Sequence, residues 1–91
     1  MLVWTPRARE QRREAIEFIA QENPAAALDQ LDEIEKQTDI LLQHPEIGRP
    51  GRRKGTRELV ISRTHFVVIY RIKAKRIDIV RMLHTSQAWP V

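Results

Sequence analysis

Ninety-one residues, 42% of them apolar and none of them cysteine, bound the chain to one small domain, residues 1–91, with a thin core and no disulfide or thiolate-zinc staple. Sixteen Lys and Arg against twelve Asp and Glu give a formal charge of +4, mild for a dedicated nucleic-acid binder, so the placement of charge matters more than its total. No apolar run reaches the roughly 20 residues that span a bilayer, and "MLVWTPRARE" lacks a leader's apolar stretch; the expectation is a cytoplasmic, unprocessed protein with no membrane partner.

The chain opens with "MLVW", a short apolar strand stopped by Thr5-Pro6. Thr5 suits a helix cap and Pro6 a first helical turn, where a missing amide costs nothing. Ala8, Ala15, Ile16, Ile19 and Ala20 then recur on one helical face. Asn23-Pro24 repeats the cap and proline, and Leu28, Leu31, Ile34, Leu41 and Leu42 supply the second helix's apolar positions, with Thr38 in the gap. So short a joint predicts an antiparallel helical hairpin.

Beyond Pro45 the period changes from helical to alternating. "RELVIS" sets Leu59 and Ile61 on one face against Glu58, Val60 and Ser62. "FVVIYRI" is apolar on both faces until Arg71, the pattern of a central strand, and "RIDIVRML" places Arg81 with Ile77 and Ile79 by strict alternation. Connections of about three residues make these an antiparallel meander. The predicted class is α+β, with a short first strand and a helical hairpin packed on a three- to four-stranded antiparallel sheet.

Five cations, Arg49, Arg52, Arg53, Lys54 and Arg57, crowd nine positions ahead of the first strand of the meander. Arginine outnumbers lysine there four to one, which favours planar hydrogen-bonded contacts over diffuse attraction. Three readings stay open: a solvated surface run, a phosphate contact, or a face for an acidic partner. Other chemistry finds little support. His44, His65 and His84 match no zinc spacing, so no metal or cofactor is expected. Ser62 and Ser86 lack a nucleophile elbow, and "GRPGRRKGT" is no nucleotide loop because it leads into a strand. RNA cleavage needs a base, an acid and cationic support for the phosphorane. Glu46, Glu58 and His84 could serve in the first two roles and Arg57, Arg71 or Arg81 in the third, unless Glu58 and Asp78 simply neutralise Arg71 and Arg81 across the strands. Trp4 and Trp89 either fold onto the core or await a partner.

The strings "WTPRA", "FIAQENPAAA", "HPEIGRPGR", "GTRELVIS", "VVIYRI" and "IDIVRMLHTSQAWP", in this order over nearly the whole chain, resemble the RelE/ParE superfamily of bacterial type II toxins, and within it the ParE branch. The resemblance implies a growth-arresting toxin of a plasmid-stabilisation type, neutralised by a cognate antitoxin that wraps it. It also implies a choice of target: ParE-like members poison DNA gyrase without chemistry of their own, whereas RelE-like members cut mRNA on the ribosome. RNA-cutting relatives look like "YRLVY" or "HRLVY" on the central strand; here "HFVVIY" puts Val67 in the arginine's place, and the C-terminal tyrosine of many such members has no counterpart beyond His84. The implied reading is a gyrase poison with a target-facing surface of Arg49, Arg52, Arg53, Lys54 and Arg57, joined by Arg81, His84 and Trp89. The alternatives are an mRNA endonuclease using Arg71, Arg81 and His84, and a non-toxic relative that only binds antitoxin.

Overall fold

The computed structural model describes residues 1–85. The same device starts both helices. Thr5 Oγ1 accepts from the Ala8 amide at 3.2 Å ahead of α1 (Pro6–Glu22), and Asn23 Oδ1 accepts from the Ala26 amide at 3.0 Å ahead of α2 (Pro24–Asp39). In each, proline fills the first-turn position whose amide would have no intrahelical partner. Asn23 closes α1 and opens α2, so the two helices form a hairpin with a one-residue joint and pack on each other.

The strands are β1 (Leu2–Trp4), β2 (Arg49–Pro50), β3 (Arg57–Val60), β4 (Phe66–Ile72) and β5 (Ile77–His84). They form one sheet in the order β1-β5-β4-β3-β2. The α+β class and the meander of β3, β4 and β5 follow the expectation. Two points correct it. β1 joins β5 in parallel, Leu2 opposite Ile77 and Trp4 opposite Ile79, and the two-residue β2 adds a fifth strand. The sheet is therefore mixed. Parallel pairing needs a long connection, here the helical hairpin followed by β2, β3 and β4, and nothing within "MLVW" itself names that distant partner.

The helix-covered face of the sheet is the core: Phe66, Val68, Tyr70, Ile77, Ile79 and Met82 pack with Ala8, Ile34, Leu41 and Ile61. On the other face Val67 is also fully buried and Ile69 is half-buried, as the unbroken apolar run of β4 predicts. Helix α2 departs from its predicted stripe. Ile34 and Leu41 are buried, but Leu28 and Leu42 are 68% and 49% exposed. The buried line runs through Ala27, and a residue one step along an α-helix is turned away by about 100°. Leu42 falls in a 3₁₀ turn, Ile40–Leu42, whose tighter winding leaves Leu41 as the inward position. Thr38 is tolerated inside because its hydroxyl donates to the Ile34 carbonyl at 2.7 Å.

A β-bulge decides the opposite face. Tyr70 lies across from Ile79 but Ile69 lies across from Arg81, so Val80 has no partner on β4. Thr5 pins this extra residue: its amide donates to the Ile79 carbonyl at 3.0 Å and its hydroxyl to the Val80 carbonyl at 3.3 Å. One inserted residue inverts the alternation that follows. Met82 turns into the core, and Arg81, expected beside Ile77 and Ile79, stands instead on the far face with Leu83.

Candidate functional site

The basic segment folds as a β-hairpin between β2 and β3. Arg49 pairs with Glu58 and Pro50 with Arg57 in register, and the Gly51 amide donates to the Thr56 carbonyl at 2.8 Å. Thr56 Oγ1 donates to the Arg53 carbonyl at 2.6 Å, and Gly55 takes a φ of 83°, a conformation glycine adopts without a side-chain penalty. A Cβ on Gly51 would lie 2.2 Å from Thr56 Oγ1, so the turn also needs glycine for space. The base of the hairpin is tied to the core by Tyr70, whose hydroxyl donates to the Pro45 carbonyl at 2.6 Å and accepts from the Gly48 amide at 3.0 Å. Burial raises the Tyr70 pKa, against smaller lowering effects from the Gly48 amide and the Arg57 charge.

The hairpin sorts its cations into two groups. Arg57 Nη1 donates to the Gly48 and Glu46 carbonyls at 2.7 and 3.3 Å, so its guanidinium helps hold the loop's own backbone. Arg49 Nε lies 3.3 Å from Glu58 Oε1, and Glu58 is only 3% exposed beneath it. Arg52 and Arg53 point the other way. With Arg7, Arg71 and Arg81 they line a cavity of about 410 Å³ on the face opposite the helices, floored by Ile69, Val80 and Leu83. Lys54 contributes only its carbonyl, which accepts weakly from Arg71 Nη1 at 3.4 Å. Within the cavity's lining, Glu58 is the one carboxylate against five guanidiniums.

Arg81 is the hinge of the arrangement. Its Nε is buried and finds no hydrogen-bond partner among the described residues, a costly state for a charged group. It borders both the arginine cavity and a second groove of about 590 Å³ between α1 and the far half of β5. His84 lines that second groove with the exposed Phe18, its ring stacked on His65 at 5.6 Å and edge-on to Phe66 at 6.1 Å. The sequence-derived nuclease set is therefore split: Arg71 lines one cavity, His84 the other, and only Arg81 touches both.

The expected cross-strand neutralisation also fails. Glu58 turns to Arg49, and Asp78, although opposite Arg71, bonds Arg76 at 2.9 Å. Among the described residues no three of His, Cys, Asp or Glu gather as a metal site, and no helix is long and apolar enough to cross a membrane. Trp4 is half-buried against the core, with the Arg12 guanidinium carbon 4.3 Å from its ring centroid. Trp89 and Ser86 lie outside the described residues. Sequence reasoning missed Arg7. A signal was present: a cation in the first turn of a helix sits at the positive end of the helix dipole, and α1 has no acidic residue there to offset it.

The ParE toxin of the type II toxin–antitoxin system parDE matches this chain over residues 2–89. The chain belongs to the ParE toxin family. A protein of Sinorhizobium fredii named "Putative toxin Y4kP" is 37% identical over 87 residues, covering 96% of this chain and 90% of that protein. A solved chain from the chromosomal ParDE TA system of P. aeruginosa superposes with a TM-score of 0.82 at 28% identity, covering 91% of this chain and 92% of that one. The ParE branch proposed by the sequence strings, and the α+β fold that went with it, are those of the family. In this ParE-family chain the arginine cavity and the groove beside it each draw their bordering residues from several elements.

Proposed function

We propose that this ParE-family protein acts without catalysis, by docking on DNA gyrase and trapping it on cleaved DNA in the cytoplasm, and that a cognate antitoxin silences it. The observation that carries the reading is the composition of the arginine cavity. It gathers five guanidiniums on an apolar floor, a surface suited to gripping an anionic target. It offers no free group to move a proton: Glu58 is buried against Arg49, and His84 lies in the other groove. Val67, where RNA-cutting relatives of the superfamily carry arginine, is a fully buried hydrocarbon that can neither donate to a phosphate nor offset its charge.

The antitoxin's place in this reading is the groove between α1 and β5. Among the described residues β1 covers β5 only as far as Ile79, so the strand's far half presents an edge beside the exposed Phe18. The Met82 amide there donates to Gln11 Oε1 at 2.9 Å, and extended segments bind such edges by strand addition. A supercoiling and cleavage assay with purified gyrase tests the whole reading. Inhibition with accumulated cleaved DNA is expected, reversed by antitoxin; full gyrase activity at excess toxin sinks it.

One observation favours a second reading. Arg71 and Arg81 do meet at one cavity, as the mRNA-endonuclease alternative requires. Primer extension on translated messages after toxin induction separates the two: codon-positioned cuts lost in Arg81→Ala would replace the gyrase reading. Harmless expression with antitoxin binding intact would leave only the non-toxic binding relative.

A further inference from the structure

The arginine cavity is specific in what it includes and in what it lacks. Its cations come from four separate places in the chain: Arg7 from the first turn of α1, Arg52 and Arg53 from the hairpin, Arg71 from the end of β4 and Arg81 from the middle of β5. Like charges brought together from distant segments repel, and among the described residues of the lining the fold sets one carboxylate, Glu58, itself engaged by Arg49. Arg81 carries the further cost of a buried Nε with no partner among the described residues. Such a cluster is relieved by an anion from outside, and guanidinium forks match the oxygens of phosphate in pairs.

The missing residue types narrow the anion further. Among the described residues no aromatic side chain lines the cavity, and apart from the arginines its polar lining is Thr56 and Glu58. Proteins that hold a single strand stack its bases on aromatic rings, and among the described residues no ring lines this cavity. A duplex keeps its bases paired away and offers only phosphate, which is the part this surface can hold. A lone carboxylate delivers a single charge, whereas a run of phosphodiesters delivers one charge per linkage.

We infer that the cavity formed by Arg7, Arg52, Arg53, Arg71 and Arg81 binds the phosphodiester backbone of duplex DNA, without regard to base sequence. The inference deepens the gyrase reading of the same site, because it makes the toxin grip the DNA of the trapped complex as well as the enzyme. Its test contains no gyrase, so the two can fail separately.

The measurement is fluorescence anisotropy of a labelled duplex against the full-length protein over a range of salt. A chain of pI about 10.1 attracts DNA weakly through its whole surface, so the location of binding is what must be read. Arg53→Gln with Arg71→Gln is expected to weaken binding at least tenfold and to lower the slope of log K against log salt by about two, since each phosphate contact contributes about one. Lys73→Gln with Lys75→Gln removes the same charge from an exposed turn away from the cavity and is expected to change affinity less than threefold. Arg53→Gln alone, on an exposed side chain, is the variant that leaves the fold untouched, with a slope lower by about one. Equal effects of the cavity pair and the lysine pair overturn the proposal, as does the absence of duplex binding at low salt in folded protein. Polyglutamate that displaces the duplex better than unlabelled duplex does, or single-stranded RNA that binds more tightly, also overturns it by assigning the cavity to an acidic protein or to RNA.

Discussion

The two faces of one sheet are built from alternate residues of the same strands and answer to different demands. On the helix side Phe66, Val68, Tyr70, Ile79 and Met82 are buried with Ile34 and Leu41, and each apolar side chain removed from water adds stability in proportion to its area. On the other side Arg71 and Arg81 stand among Ile69 and Leu83, and Arg81 leaves a buried nitrogen without a partner among the described residues. The first face is arranged to hold the fold together. The second keeps charge where packing alone would favour hydrocarbon, as binding surfaces do when their partner is absent.

Substitutions that strike one face and spare the other can break that comparison. The largest effect belongs to the core: Ile34→Ala should lower unfolding free energy by about 2–5 kcal/mol, read from urea denaturation. A loss below about 1 kcal/mol would mean that α2 contributes little to the core. Tyr70→Phe should cost about 1–3 kcal/mol, because the buried Gly48 amide loses its acceptor. The same residue gives an alkaline signature. Its folded pKa is raised above the ordinary value of about 10, chiefly by burial, so the native state holds the proton that the unfolded state releases. The Tyr70 contribution is complete below about pH 10 and declines as pH rises through the folded pKa. Thermal melts above about pH 10 should fall more steeply in the native protein than in Tyr70→Phe; parallel curves would place the alkaline loss elsewhere.

Smaller effects sharpen the division within the basic hairpin. Arg57→Ala should cost about 1–2 kcal/mol through the lost bonds to the Gly48 and Glu46 carbonyls. Arg81→Met should leave stability within about 1 kcal/mol of native or raise it, since an apolar side chain replaces a charged one whose buried Nε has no partner among the described residues, while target inhibition falls sharply. A marked loss of stability in that variant would make Arg81 a structural residue. Smallest of all, Arg53→Gln should change unfolding by no more than about 0.5 kcal/mol and act only on binding.

Much of the architecture is legible in short stretches because its causes are local. Thr5-Pro6 and Asn23-Pro24 announce both helices, and the unbroken apolar run Phe66–Tyr70 marks the strand that is covered on both sides. The glycines of "GRPGRRKGT" predict a shaped loop, and Gly51 and Gly55 are indeed held by space and by φ. The site is legible only in part. Arg52, Arg53, Arg71 and Arg81 stand out by composition, but Arg49 and Arg57 look equivalent to them and turn out to serve the hairpin. Arg7 looks like one more helical surface cation until the fold brings it to the cavity.

The amino-acid order by itself set the helices, the meander and the basic segment, because caps, periodicity and turn chemistry act over a few residues; the branch of toxins was legible only through the resemblance of its strings. Tertiary structure alone decided the parallel seat of β1 on β5, the bulge at Val80, and thereby the face on which Arg81 stands. Those outcomes depend on contacts between residues more than seventy positions apart, such as the Thr5 hydroxyl on the Val80 carbonyl. No local pattern records such a contact, and a single unpaired residue is enough to reverse which side of a strand meets water.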